Sequence, residues 1–173
     1  MIILEKFDPS GYNKLIGWVN SEESLMQFAG PAFTFPLTED QLEESLSNKN
    51  RIAFKVIDEI SKEAIGHAEI FLGEKSAWLG KILIGDKNLR GNGIGQKIVQ
   101  RLLEYVFTDL QQSKAELNVF DWNVPAIKCY EKCGFVINPD KRFERKINGQ
   151  TWIALNMIAT KEEWQNNRCE KTE

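Results

Sequence analysis

Histidine is almost absent from this chain of 173 residues, with His67 its one example, and cysteine is scarce: Cys129, Cys133 and Cys169. An odd number of cysteines at those positions is unlike a disulfide framework. Cys129 and Cys133 lie four apart where a helix is expected, but a metal site there needs further ligands and His67 is far away in sequence. Reduced packing or surface thiols are the better reading, and no metal is expected. Long apolar runs are missing too, which argues against a membrane span, and Met1 to Lys6 is too short and too soon charged for a secretion signal. Positive charge is not in excess: the formal net charge is −3 and the pI about 5.4. That balance argues against a general nucleic-acid binder. No repeat and no linker divides the chain. What remains is the expectation of a cytoplasmic protein folded as one domain over residues 1–173. A hydrophobic content of 42% and a charged content of 27% are ordinary for that class.

What is present is concentrated between Ile82 and Phe107. Ile82, Leu83 and Ile84 are β-formers bounded by Gly85-Asp86 and suit the end of a buried strand. From Ile94 the apolar residues Ile94, Ile98, Val99, Leu102, Leu103, Val106 and Phe107 share one helical face. Gln96, Lys97, Gln100, Arg101 and Glu104 make its polar back. Between them, Gly91, Gly93 and Gly95 let the backbone turn with its amides bare at the positive end of a helix dipole, a place suited to phosphate. The dinucleotide fingerprint is incomplete because position 96 is Gln, and no Walker lysine-serine pair follows. Asn92-Gly93 is also a hairpin signal, but helical period follows it. A purely structural glycine turn is the remaining alternative.

The run Arg90-x-x-Gly93-x-Gly95 after a strand and before a helix resembles the pyrophosphate loop of the GCN5-related N-acetyltransferase (GNAT) family. About thirty residues on, Asn123-x-x-Ala126-x-x-x-Tyr130-Glu131-Lys132-x-Gly134-Phe135 is similar to that family's second signature. The likeness is clear from about Ile52 to Trp164. It extends to the branch that includes ribosomal-protein N-terminal alanine acetyltransferases and spermidine acetyltransferases. It implies an α/β fold with a mixed, mostly antiparallel sheet of about six to seven strands and helices on both faces.

Taken in order, Ile2 to Phe7 reads as a strand, and Asp8-Pro9 starts a helix to about Val19. Ser21 opens a second helix ending near Gly30, and Thr38 to Gln41 is a capping box for a third ending near Asn48. Ile52 to Asp58, Ala64 to Leu72 and Ala77 to Ile84 read as a meander of strands. Lys114 to Phe120 is another strand, and Asn123 caps a short helix closed by Gly134. Phe135 to Ile137 adds a short strand, and Arg142 to Ile147 and Gln150 to Ala159 flank the hairpin signal Asn148-Gly149. Residues 161–173 read as a polar tail that frays, with Trp164 as an anchor.

By the resemblance, residues 77–135 bind acetyl-CoA and residues 1–50 form one wall of an acceptor pocket. Backbone groups of Ile82 and Ile84 would bond the pantetheine arm in the gap between two splayed strands. Amides of Arg90, Gly91, Asn92, Gly93, Ile94, Gly95 and Gln96 would hold the pyrophosphate, and the Asn123 side chain would touch the arm from the other side. The implied reaction is acetyl transfer to a primary amine, on a small molecule or a protein N-terminus, in an enzyme that is often a homodimer. Tyr130 matches the tyrosine that protonates the departing thiolate. Several relatives carry a carboxylate near position 78, where this chain has Trp78. Glu69 is then the best candidate base, with His67 and water as alternatives. Glu22, Glu23, Glu39, Asp40, Glu43 and Glu44 offer attraction for a cationic amine, against a solvated helix face as the alternative. Trp18, Trp78, Trp122 and Trp152 are candidate pocket walls or core residues. A non-catalytic acyl-CoA-binding module is the competing functional reading.

Overall fold

Alternating apolar residues in three successive runs dictate an antiparallel meander, and a computed structural model describing residues 1–169, with side chains to 167, bears this out. Strands β1 (Ile2–Lys6), β2 (Arg51–Asp58), β3 (Ala64–Leu72) and β4 (Ala77–Ile84) pair in turn, each antiparallel to the last. Strands β5 (Lys114–Phe120), β6 (Val136–Ile147) and β7 (Gln150–Thr160) complete a seven-stranded sheet in the order β1-β2-β3-β4-β5-β7-β6. β4 and β5 run parallel and pair at Ala77 with Ala115 and at Trp78 with Glu116. Beyond those two pairs they part.

Helices α1 (Tyr12–Trp18), α2 (Glu22–Ala29) and α3 (Glu39–Leu46) cover one face. Their apolar sides, including Leu15, Leu25, Phe28 and Leu42, bury against Phe7 and Ala53 of the sheet. Helices α4 (Ile94–Glu104) and α5 (Val124–Lys132) cover the other face. There Ile98, Val99, Leu102 and Leu103 are fully buried with Ile70, Leu117 and Met157, the face that the helical period predicts. α4 runs on into a π-helical turn, Tyr105–Asp109, which keeps Val106 and Phe107 in the core.

Three expectations need correction. The Thr38 hydroxyl accepts from the Gln41 amide, but the Gln41 side chain bonds the backbone of Thr34 and Pro36, so the box is half made and Gln41 ties down the preceding loop instead. Phe135 to Ile137 and Arg142 to Ile147 are not separate: β6 runs through both, with a bulge between Asn138 and Arg142. That bulge delivers Lys141 to buried Glu116, with 3.0 Å between Nζ and Oε2. Residues 161–169 form a helix, α6 (Lys161–Cys169), rather than a fraying tail. Thr160 and Glu163 make a reciprocal cap at its start, and the Trp164 ring lies 5.4 Å from that of Phe107. The rest of the expected tail lies outside the described residues.

Asn148 and Gly149 both have positive φ, as the expected two-residue hairpin requires. Gly66 is fixed by space rather than by φ, because an added Cβ there would lie 2.4 Å from the Leu83 carbonyl oxygen on the neighbouring strand. Gly66→Ala is therefore expected to cost at least about 2 kcal/mol in urea unfolding. Gly17→Ala, in α1 with open space around its Cα, is expected to be neutral or stabilising by up to about 1 kcal/mol.

Candidate active site

Two strands that share two pairs and then diverge leave facing backbone edges with nothing between them. Here that gap is one end of a cavity of about 1030 Å³. It opens between the second half of β4 and the second half of β5, and continues across the sheet edge to the loop joining α1 to α2. Ile82, Ile84, Arg90, Gly91, Gly93, Gly95, Gln96, Asn123, Tyr130 and Glu69 all line it. Asn92 and Ile94 do not: the Asn92 side chain turns back to the Asn88 carbonyl, 3.4 Å away, and Ile94 packs against the core.

The glycine loop is built as its sequence demands. Gly91 and Gly93 have φ of 82° and 76°, a region that only glycine occupies cheaply, and Gly93 stands at the N-cap of α4. The first-turn amides of α4 have no carbonyl partner within the helix and carry its positive end. The guanidinium of Arg90 donates from Nε and Nη2 to the Ile84 carbonyl oxygen, at 3.2 and 2.9 Å, and clamps the loop to the end of β4. The Ile84 carbonyl, one of the backbone groups expected to bond the arm, already accepts from Arg90. Lys87, Arg90, Lys128 and Lys132 face this end of the cavity, a setting for several phosphate charges.

Asn123 heads α5, but its side chain makes no cap bond, contrary to the capping reading. Its backbone carbonyl receives the amides of Ala126 and Ile127 instead. Asn123 lines the cavity. Tyr130 is half-buried on the same helix, its ring edge-on to Phe135. Burial, followed by the neighbouring thiols of Cys129 and Cys133, pushes its phenol well above the ordinary value, so it is protonated at neutral pH and a weaker acid than a free tyrosine.

At the other end lies a charge cluster on the sheet face beneath α1 to α3. Burial by itself would raise Glu69, but a hydrogen bond from His67 and the charges of Lys81 and Arg51 outweigh it and hold its carboxyl at about 2. Lys81 Nζ sits 3.2 and 3.1 Å from its two oxygens, and Arg51 Nη1 pairs with Oε2. A carboxylate so held is a weak proton acceptor, which counts against Glu69 as the general base. His67 is fully buried, pushed below its ordinary value by desolvation, and stands behind Glu69 rather than on the cavity wall, with Nε2 3.2 Å from Oε1.

Lys81 and Arg51 are functional candidates that sequence reasoning passes over. In a regular strand Lys81 would share the face of Ala77 and Leu79, in the core. The register against β3 instead steps from Gly80 opposite Glu69 to Leu83 opposite His67, leaving one extra residue on β4. This bulge, with Lys81 at φ 48°, turns its ammonium onto the face of Glu69. Gly80 inside a strand was the available signal.

Among the tryptophans, Trp18 and Trp78 line the cavity, whereas Trp122 and Trp152 pack with Phe120, ring centroids 5.0 to 5.7 Å apart. None of the six helix carboxylates from Glu22 to Glu44 lines it; they form the solvated alternative, with Glu23 bonded to Asn148.

The family described as "Acetyltransferase (GNAT) family" matches residues 15–135. The aminoglycoside N(6')-acetyltransferase type 1 of Klebsiella pneumoniae is 31% identical over 88 residues, covering 44% of this chain and 44% of that protein. The match thus spans under half the length of that relative. The spermidine N(1)-acetyltransferase of Vibrio cholerae is 28% identical over 137 residues, covering 76% of this chain and 78% of that one. A crystal structure of the Vibrio cholerae spermidine N-acetyltransferase in complex with CoA and spermine superposes with a TM-score of 0.78 at 26% identity, over 95% of this chain and 98% of that chain.

Glu69 and Glu116 are both held at about 2 against an ordinary 4.5. Such groups stabilise fully above their unfolded pKa, and that contribution is lost as pH falls through the folded value. Urea midpoints are expected to fall between about pH 5 and about pH 2, and Glu69→Gln, which cannot titrate, is expected to flatten part of that fall. An acid limb as steep in the variant as in the parent would show that Glu69 does not carry it.

Proposed function

Since the chain belongs to the acetyltransferase (GNAT) family, we propose that it is an N-acetyltransferase moving the acetyl group of acetyl-CoA to a primary amine in a ternary complex. The observation that carries the reading is the parting of β4 and β5 between a glycine loop and a protonated tyrosine. Acetyl-CoA supplies the acetyl group as an activated thioester. In this reading the amides of the loop and of the first turn of α4 hold the pyrophosphate, with Lys87, Arg90, Lys128 and Lys132 around it. The open edge of β4 at Ile82 and the side chain of Asn123 hold the pantetheine arm from its two sides. Tyr130 gives its proton to the sulfur as the amine displaces it. The whole chain acts as one domain, residues 1–50 forming the acceptor wall. Among the described residues no helix is long and apolar enough to cross a membrane.

Glu69 is read here as the group that positions Lys81 and Arg51, not as the base. Among the described residues the one carboxylate on the wall is held too low to serve as a base, so in this reading deprotonation falls to water or to the free-base fraction of the amine. That fraction is larger for an α-amine, with a pKa near 8, than for a lysine amine near 10.4. The weakness of the base is also what keeps a non-catalytic acyl-CoA binder as the second reading.

Thiol release from acetyl-CoA over a panel of polyamines, aminoglycosides, amino acids and peptides separates the two. Acceptor-dependent release is expected; a thermal shift with CoA and no release across the panel would favour the binder. Tyr130→Phe is expected to lower turnover by about 100-fold or more while the thermal shift with CoA stays near that of the parent. Unchanged turnover would remove Tyr130 as the acid.

A further inference from the structure

The polyamine and aminoglycoside acetyltransferases among the relatives are named for polycationic acceptors, yet the acceptor end of this cavity carries the wrong charge for one. Among the described residues, Glu69 is the sole carboxylate on the whole cavity wall. It is already engaged by Lys81, Arg51 and His67. Lys81 Nζ, 3.3 Å from Ser45 Oγ and 4.2 Å from the centre of the Phe33 ring, is held in place rather than free to swing away. One carboxylate between two cations leaves the buried cluster with an excess positive charge.

Arg51 also has an unanswered donor, since its Nε is buried with no hydrogen-bond partner. Its guanidinium lies against the Phe71 ring, 5.9 Å from the centroid, which fixes the plane of the fork. A third cation, Arg145, lines the cavity from the β6–β7 hairpin. The hairpin tip is tied to α2 through Asn148 and Glu23, so Arg145 lies at the acceptor end and not beside the glycine loop. Trp18, Phe28, Phe71 and Trp78 are among the other residues lining the cavity.

We propose that the acceptor is an amine that also carries a carboxylate, an amino acid or short acidic peptide, seated with its carboxylate toward Arg51, Lys81 and Arg145. This rests on the proposed acetyl transfer and names its acceptor class. A carboxylate answers the excess charge, whereas a polyamine would set like charges against it.

Matched acceptors test it: lysine against cadaverine, ornithine against putrescine, and Gly-Glu against Gly-Gln amide, each with acetyl-CoA and the full chain. The carboxylate-bearing member of each pair is expected to be acetylated with a kcat/KM at least about tenfold higher, the worth of one retained charge contact. Arg51→Gln and, separately, Arg145→Gln are expected to raise KM for that member about tenfold while the thermal shift with CoA is kept. Equal or better use of cadaverine and putrescine would overturn the acceptor class and leave the acetyltransferase reading standing. A CoA shift with no use of any carboxylate-bearing acceptor would likewise overturn the acceptor class. Loss of both the CoA shift and all transfer would remove the enzyme reading as well.

Discussion

Everything at the site depends on the failure of β4 and β5 to stay paired. Parallel strands in a sheet interior normally satisfy each other's backbone groups along their length. Here the pairing stops after Trp78 and Glu116. The strands diverge because each is held elsewhere: β4 by β3 through Ile84, and β5 by β7 through all seven of its residues, Lys114 to Phe120. The cavity is thus a consequence of two good pairings on either side of a short one, stiffened by α4 and α5 packed beneath.

The electrostatics of the two ends differ in kind. At the glycine loop the charge is mobile or partial: helix amides, a dipole, and side chains near solvent. At the other end it is built into the sheet. A single-residue bulge inserts Lys81 beside Glu69, and β2 contributes Arg51 from the next strand. Buried ion clusters of this type add little to stability, because desolvation offsets their attraction. Their persistence across three strands is better explained by what they hold in position than by what they add to folding.

Much of this was legible in the residues. The period of Ile94 to Phe107 identified α4 and its buried face, and the alternation in Ala64 to Leu72 and Ala77 to Ile84 gave strands with those same ends. Three glycines before a helix located the loop. What escaped was set by register and tertiary contact. A bulge moves a side chain from one face to the other without changing composition, so Lys81 read as an ordinary strand residue. Glu69 was readable as a carboxylate near the site, but not as one surrounded by cations from Arg51 and the displaced Lys81. Thr160 and Glu163 did carry a capping signal, and the polar residues around Trp164 obscured it.

Gly85 follows β4, and the indole of Trp18 lies so close to its backbone that a Cβ there would lie 2.0 Å from the ring. On one side of that contact is Ile84, whose carbonyl is gripped by the loop arginine; on the other is the last residue of α1. The strand end held by the loop arginine and the helix that walls the amine end thus meet at one backbone-to-ring contact, at a position that only glycine can fill.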